Sequence, residues 1–139
     1  HRSAAVVLPV DNQGKILLVR QYRYSVGKIL LEAPAGLMEN SEAPHDTAQR
    51  ELQEETGYLS RDLHALGGFW TGPGFCDEYI HAYLAKDLVR SRKKHDPDEN
   101  IRVARMSLGQ VRQLIRERAI EDAKTLAILH LVTTNYGLE

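Results

Sequence analysis

Two apolar, β-branched runs open the chain, Ser3 to Val10 (SAAVVLPV) and Lys15 to Tyr22 (KILLVRQY), with DNQG between them. Such runs, bounded by turn residues, predict strands, and the short turn predicts that the two pair as a hairpin. KILLEAPAG, from Lys28 to Gly36, predicts a further short strand broken at Pro34 and Gly36. From Pro44 to Thr56 the pattern changes: there is no glycine, and good helix formers dominate. Pro44 suits the first helical turn and Gly57 the C-terminal cap.

LHALGGFW and DEYIHAYLA read as strands on either side of TGPGF, a glycine- and proline-rich loop. RSRKKHDPDEN is polar and charged and reads as a surface loop, and IRVARM as a short strand. Ser107 and Gln110 have capping-box spacing, and Val111, Leu114 and Ile115 give the helix after them an apolar stripe. Asp122 suits the cap of a last helix, with Ala123, Leu126, Ala127 and Leu131 on one side and Gly137 past its end. Strands, helix, strands, then two helices predict an α/β fold, a mixed β-sheet sandwiched between α-helices. The expectation is one domain over residues 1–139. The chain opens on His1 rather than Met, which leaves room for residues upstream.

Charge narrows the partners. The formal net charge is −1 and there is no long basic run, so neither nucleic acid nor a membrane surface is expected. No stretch has the apolar length of a membrane span. The single cysteine, Cys76, excludes an internal disulfide and fits a reducing, cytoplasmic setting. With no His/Cys partner at metal spacing, it reads as a spectator. The six histidines show no zinc-like spacing. Phe69 and Trp70 are candidates for stacking on a base, or for the core.

The chemistry concentrates on the first helix. Each helical residue advances about 100°. Counted from Ala48, Leu52 falls about 40° to one side, on the core face, and Glu55 about 20° to the other side. Glu51 follows at about 60° and Glu54 at about 120°. The three carboxylates form one strip beside the core face, with Glu51 and Glu55 stacked at i, i+4. Like charges at that spacing weaken a helix unless something neutralises them. A hard cation such as Mg²⁺, which takes one or two carboxylates and fills its other positions with water and phosphate oxygens, would do so. A solvated acidic face is the plainer alternative.

The surrounding residues favour the cation. Gly36, then five residues, Glu42, then seven residues, and Arg50-Glu51-Leu52-Gln53-Glu54-Glu55-Thr56-Gly57-Tyr58 together resemble the Nudix box. Every charged and glycine position matches. Tyr58 departs, since an aliphatic residue is usual there, and only a packing difference is expected from it. The resemblance implies the Nudix fold and Mg²⁺ (or Mn²⁺), two or more ions. It further implies Glu51, Glu55 and the backbone oxygen of Ala35 as metal ligands, with Glu54 on a further ion or its waters. Arg50 is expected to pair with Glu42 and pin the loop to the helix.

Residues outside the box resemble the ADP-ribose pyrophosphatase branch. LLEAPAG, which carries Glu32, precedes the helix, and TGPGFCDE, with Pro73 sixteen residues after Gly57, follows it. Glu32, Gly74, Phe75 and Glu78 become candidate substrate contacts. VRQYR offers Arg20 and Arg23 for a phosphate. Strand alternation puts Gln21 and Arg23 on one face and Arg20 on the other, and Arg23, at the strand end, is preferred. Glu99, two residues before Ile101, ranks first as general base, and Glu54 second. The resemblance thus implies hydrolysis of ADP-ribose to AMP and ribose 5-phosphate by a cytoplasmic homodimer. The alternatives are another nucleoside diphosphate sugar such as GDP-mannose, or a non-catalytic ADP-ribose sensor.

Overall fold

The structure is a computed structural model and describes residues 3–92 and 101–137. Its elements are β1 (Ala4–Pro9), β2 (Ile16–Arg23), β3 (Lys28–Glu32), β4 (Ala35–Leu37), α1 (Pro44–Thr56), β5 (Tyr58–Trp70), β6 (Tyr79–Arg90), β7 (Ile101–Met106), α2 (Leu108–Arg116) and α3 (Ala123–Tyr136). Their order is the expected one. The strands form two sheets, β4-β1-β6-β5 and β3-β2-β7. β1 and β6 run parallel, and the other pairs are antiparallel, so the strand arrangement is mixed.

The expected β1–β2 hairpin does not form. The turn itself does: Asp11 Oδ1 accepts from the backbone N–H groups of Gln13 and Lys15. A single bridge, Val10 to Ile16, joins the two runs before they part into different sheets. The reason lies in β1, whose six residues are all buried. A strand buried on both faces belongs inside a sheet with neighbours on each edge. Ala4, Val6 and Leu8 join one apolar cluster with residues of β2, β6, β7, α2 and α3. Ala5 and Val7 face Ala48 and Leu52 of α1 in a second cluster. Alternation along one strand therefore divides the core between two helical layers.

α1 spans the expected residues. Gly57 caps it at φ 81°, a left-handed conformation that glycine adopts without strain, and donates its N–H to Gln53. Ala48 and Leu52 are fully buried, as the wheel predicts. The capping box of α2 is complete and Asp122 caps α3. The buried side of α3 differs from the expected one: Thr125, Ile128, Leu129 and Val132 face inward, while Leu126 is 37% exposed. This helix is apolar nearly all round, so periodicity leaves its face ambiguous. Thr125 decides it, since its hydroxyl accepts the N–H of Ala33 and donates to Asp122.

Candidate active site

Gly36 and the carboxylates of α1 line a cleft of about 460 Å³, completed by Ala35 and by Gln21, Arg23 and Ile101 from the second sheet. The exposure of the three glutamates follows their angles on the wheel. Glu55 is buried at 9%, the Glu51 side chain is 13% exposed and that of Glu54 56%. Burial disfavours an ionised carboxyl. It pushes Glu55, with the negative charge of Glu51 adding to the effect, up to about 8. Burial also raises Glu51, although the adjacent Arg50 opposes the shift.

The loop is fixed onto the helix at three points. The Ala35 N–H donates to Glu55 Oε2 at 3.1 Å. Gly36 lies directly against Glu51, and a Cβ there would sit 2.2 Å from Glu51 Oε1, so no side chain fits without moving the carboxylate. Arg50 is the third point. Its Nε and Nη2 fork onto Glu42 at 2.8 and 3.0 Å, and Nη2 also donates to the Leu37 carbonyl at 2.9 Å. Nη1 reaches Glu51 at 2.7 Å and Glu54 at 3.3 Å. Glu42 further accepts from the Glu39 N–H and the Thr47 hydroxyl. The Arg50 hydrogen bonds, followed by those from Glu39 and Thr47, hold the Glu42 carboxyl down at about 2.

On the facing wall Arg23 is forked in the same manner, with Nε and Nη2 at 2.7 Å from the two oxygens of Glu32. Glu32 is 1% exposed. Burial alone would raise its pKa, but hydrogen bonds from Arg23 and Lys124 outweigh that and leave it below the ordinary range. Glu32, expected as a substrate contact, does not line the cleft; its burial and its two cationic partners make it an internal anchor for Arg23. Arg23 itself remains 40% exposed and is the only cationic side chain lining the cleft among the described residues.

Arg20 lies elsewhere. As alternation predicts, it faces away from Arg23, into a separate groove with Met106, Gln110 and Glu117. Gly74, Phe75 and Glu78 are also outside this cleft. Phe75 is 89% exposed, and Glu78 accepts from the Thr71 hydroxyl at 2.8 Å within their own loop. Phe69 packs on the core, while Trp70 is 56% exposed and edge-on to Tyr79. Glu99 lies outside the described residues. Tyr58 makes more than a packing change: its hydroxyl accepts from Arg105 at 3.0 Å, and Arg90 stacks 5.1 Å from its ring centre. Sequence reasoning missed Lys124, 92 residues from Glu32 in the chain and 2.7 Å from its Oε1. No local pattern signals that contact.

The donor set is all oxygen and suits a hard divalent cation rather than zinc. Among the described residues no three His, Cys, Asp or Glu side chains are gathered closely enough to coordinate an ion. Glu51 is turned toward Arg50 and Glu55 toward the Ala35 N–H. The residues fit a cation by their chemistry and by the open cleft they line, and a cation at Glu51 would displace the Arg50 Nη1 contact.

Comparison with known proteins agrees with this geometry. The chain belongs to the NUDIX domain family, which it matches over residues 1–128. It is 40% identical to an ADP-ribose pyrophosphatase of Bacillus subtilis (strain 168), an alignment covering all of this chain and 76% of that protein. It is 42% identical, with the same coverage, to the methanol dehydrogenase activator of Bacillus methanolicus. Among solved structures, an ADP compounds hydrolase superposes with a TM-score of 0.86 at 25% identity, over 96% of this chain and 72% of the other.

Proposed function

We propose that this protein is a Mg²⁺-dependent Nudix pyrophosphatase that cleaves ADP-ribose, or a closely related nucleoside diphosphate sugar, to AMP and ribose 5-phosphate. One observation carries the reading. Glu55, buried, and Glu51, partly buried, line the same open cleft as Arg23, so carboxylates that a hard cation would relieve share it with a guanidinium that keeps 40% of its side chain exposed. A metal-bridged diphosphate satisfies both. The similarity to an ADP-ribose pyrophosphatase supports the choice of sugar nucleotide.

In this reading Glu51, Glu55 and the Ala35 carbonyl would hold the first of two or more ions, and Glu54 would serve a further ion or its waters. Bound Mg²⁺ would neutralise the diphosphate and acidify a coordinated water. Arg50 and Glu42 keep the loop in place. Arg23, held by Glu32, grips a phosphate oxygen and stabilises the charge that develops on it. The general base is Glu99, with Glu54 as the alternative. Gly74, Phe75 and Glu78 lie outside the cleft, and a homodimer in which a second copy would bring them to the substrate belongs to the proposal. Among the described residues no helix is long and apolar enough to cross a membrane. A cytoplasmic setting is proposed from the single cysteine.

A panel of nucleoside diphosphate sugars with Mg²⁺, read as phosphate release after phosphatase coupling, tests the reading. ADP-ribose should turn over fastest and chelator should abolish release. Preferential turnover of GDP-mannose would move the substrate. Tight retention of ADP-ribose with no turnover would make the protein a sensor.

A further inference from the structure

The Arg23–Glu32 pair does not stand alone. Lys124, in the first turn of α3, donates to Glu32 Oε1 at 2.7 Å, the same oxygen that accepts from Arg23 Nη2. Its ammonium also reaches both oxygens of Asp122 at 3.1 Å. Asp122 is fixed in turn by the Thr125 N–H and hydroxyl, at 3.2 and 2.6 Å. Thr125 Oγ1 accepts the N–H of Ala33, next to Glu32. The N-terminus of α3 is thus tied to the end of β3 by an ammonium and a hydroxyl. Lys124 is 17% exposed and does not line the cleft.

We propose that Lys124 is a positioning residue for substrate binding: it locks and partly neutralises the Glu32 carboxylate, so that Arg23 is held in its forked pose with charge left for the diphosphate. This rests on the function proposed above. Two arguments support it. The first is geometric. A bidentate fork needs the carboxylate plane aligned with the guanidinium. Lys124 supplies the third contact that prevents the carboxylate from rotating. The second is electrostatic. Arg23, Lys124, Glu32 and Asp122 sum to zero charge, and the facing wall carries Glu51, Glu54 and Glu55. Without Lys124 the cluster is left with an uncompensated negative charge beside a cleft that must admit a polyanion. Glu32, no longer shared with Lys124, would then neutralise Arg23 more completely and leave less of its charge for the substrate. Both effects weaken substrate binding more than they slow the chemical step.

The test compares Lys124→Met and Lys124→Arg with the parent protein and with Arg61→Met, which breaks an exposed ion pair to Asp87. Steady-state hydrolysis of ADP-ribose with Mg²⁺ should show KM raised roughly tenfold in Lys124→Met, with kcat changed by less than about threefold. Lys124→Arg should recover most of the KM, and Arg61→Met should not change it. A second readout needs no turnover. The ¹⁵N resonance of Arg23 Nε, assigned with Arg23→Lys, should show slow hydrogen exchange in the parent and exchange roughly tenfold or more faster in Lys124→Met. A folded Lys124→Met protein with unchanged KM and unchanged Arg23 exchange would overturn the inference. So would a KM that rises in Lys124→Met and is not rescued by arginine. If the parent does not hydrolyse nucleotide sugars, the proposed function fails, and the Arg23 resonance still decides whether Lys124 positions it.

Discussion

Glu55 offers a prediction whose size follows from the structure. Its carboxyl titrates at about 8 in the fold, against an ordinary 4.5. Between those values the folded chain holds a proton that the unfolded chain has released. Stability must then fall as pH rises through the window. The contribution is complete below about 4.5 and lost above about 8. At pH 7 the unfolded carboxyl lies about 2.5 pH units above its own titration point, and each unit is worth about 1.4 kcal/mol. Burying this group therefore costs about 3 kcal/mol at pH 7 when no cation is bound. Glu51 titrates alongside it, so about 1–3 kcal/mol is the working range.

Glu55→Gln removes that cost. The amide has the shape of the protonated acid, and its oxygen still accepts from the Ala35 N–H. In chelator at pH 7.5 the variant should melt higher than the parent by roughly 3–10 °C for a chain of this length. At pH 4.5 the two should nearly coincide. Mg²⁺ should raise the melting point of the parent and barely affect the variant, which should also lose most turnover. Calorimetry in two buffers of different ionisation enthalpy should show protons released as Mg²⁺ binds to the parent. A difference in melting temperature that is the same at pH 4.5 and 7.5 would refute the reasoning, because a pH-independent effect cannot come from this carboxyl. Destabilisation at pH 7.5 would refute it more strongly.

Three further outcomes are expected. Gly36→Ala places a methyl 2.2 Å from Glu51 Oε1, so the Mg²⁺ concentration for half-maximal activity should rise at least tenfold; an unchanged Mg²⁺ dependence would show that Glu51 does not bind the ion where it lies. Arg50→Lys cannot fork onto Glu42 and reach the Leu37 carbonyl together; kcat should fall more than tenfold, with loop amides such as Met38 exchanging faster. Glu99→Gln should lower kcat and kcat/KM together when chemistry limits turnover, and single-turnover rates across pH for it and for Glu54→Gln assign the base: a silent Glu99→Gln beside an inactive Glu54→Gln would move that role to the helix.

The helix and its carboxylates were legible in the sequence because every rule they obey is local. Burial rising from Glu54 through Glu51 to Glu55 is a consequence of 3.6 residues per turn and the position of Leu52. The Arg50–Glu42 pair spans only eight residues. What failed was non-local. DNQG does make a turn, but whether two strands pair is decided by what else competes for their edges, and β6, seventy residues further on, takes β1. The buried face of α3 departs from the expected one because its orientation is set by Thr125 bonding to Ala33, not by its own periodicity. Lys124 was invisible for the same reason.

The two arginines of the site share one design. Each is forked onto a glutamate of its own, Arg50 on Glu42 and Arg23 on Glu32. An arginine left free beside Glu51 and Glu55 would neutralise them itself and compete with any cation for their oxygens. Tethering by a separate carboxylate limits that competition. Arg50 shows the limit: its third nitrogen still reaches Glu51 Oε1 at 2.7 Å. A cation bound at Glu51 must displace that contact, yet Arg50 would stay in place through Glu42 and the Leu37 carbonyl. Arg23 has no such bond to the strip among the described residues. It is therefore the arginine whose charge remains available to the substrate, and its anchor, 1% exposed, is shared between two cations, Arg23 and Lys124, whereas Glu42 is paired with Arg50 alone among cations of the described residues.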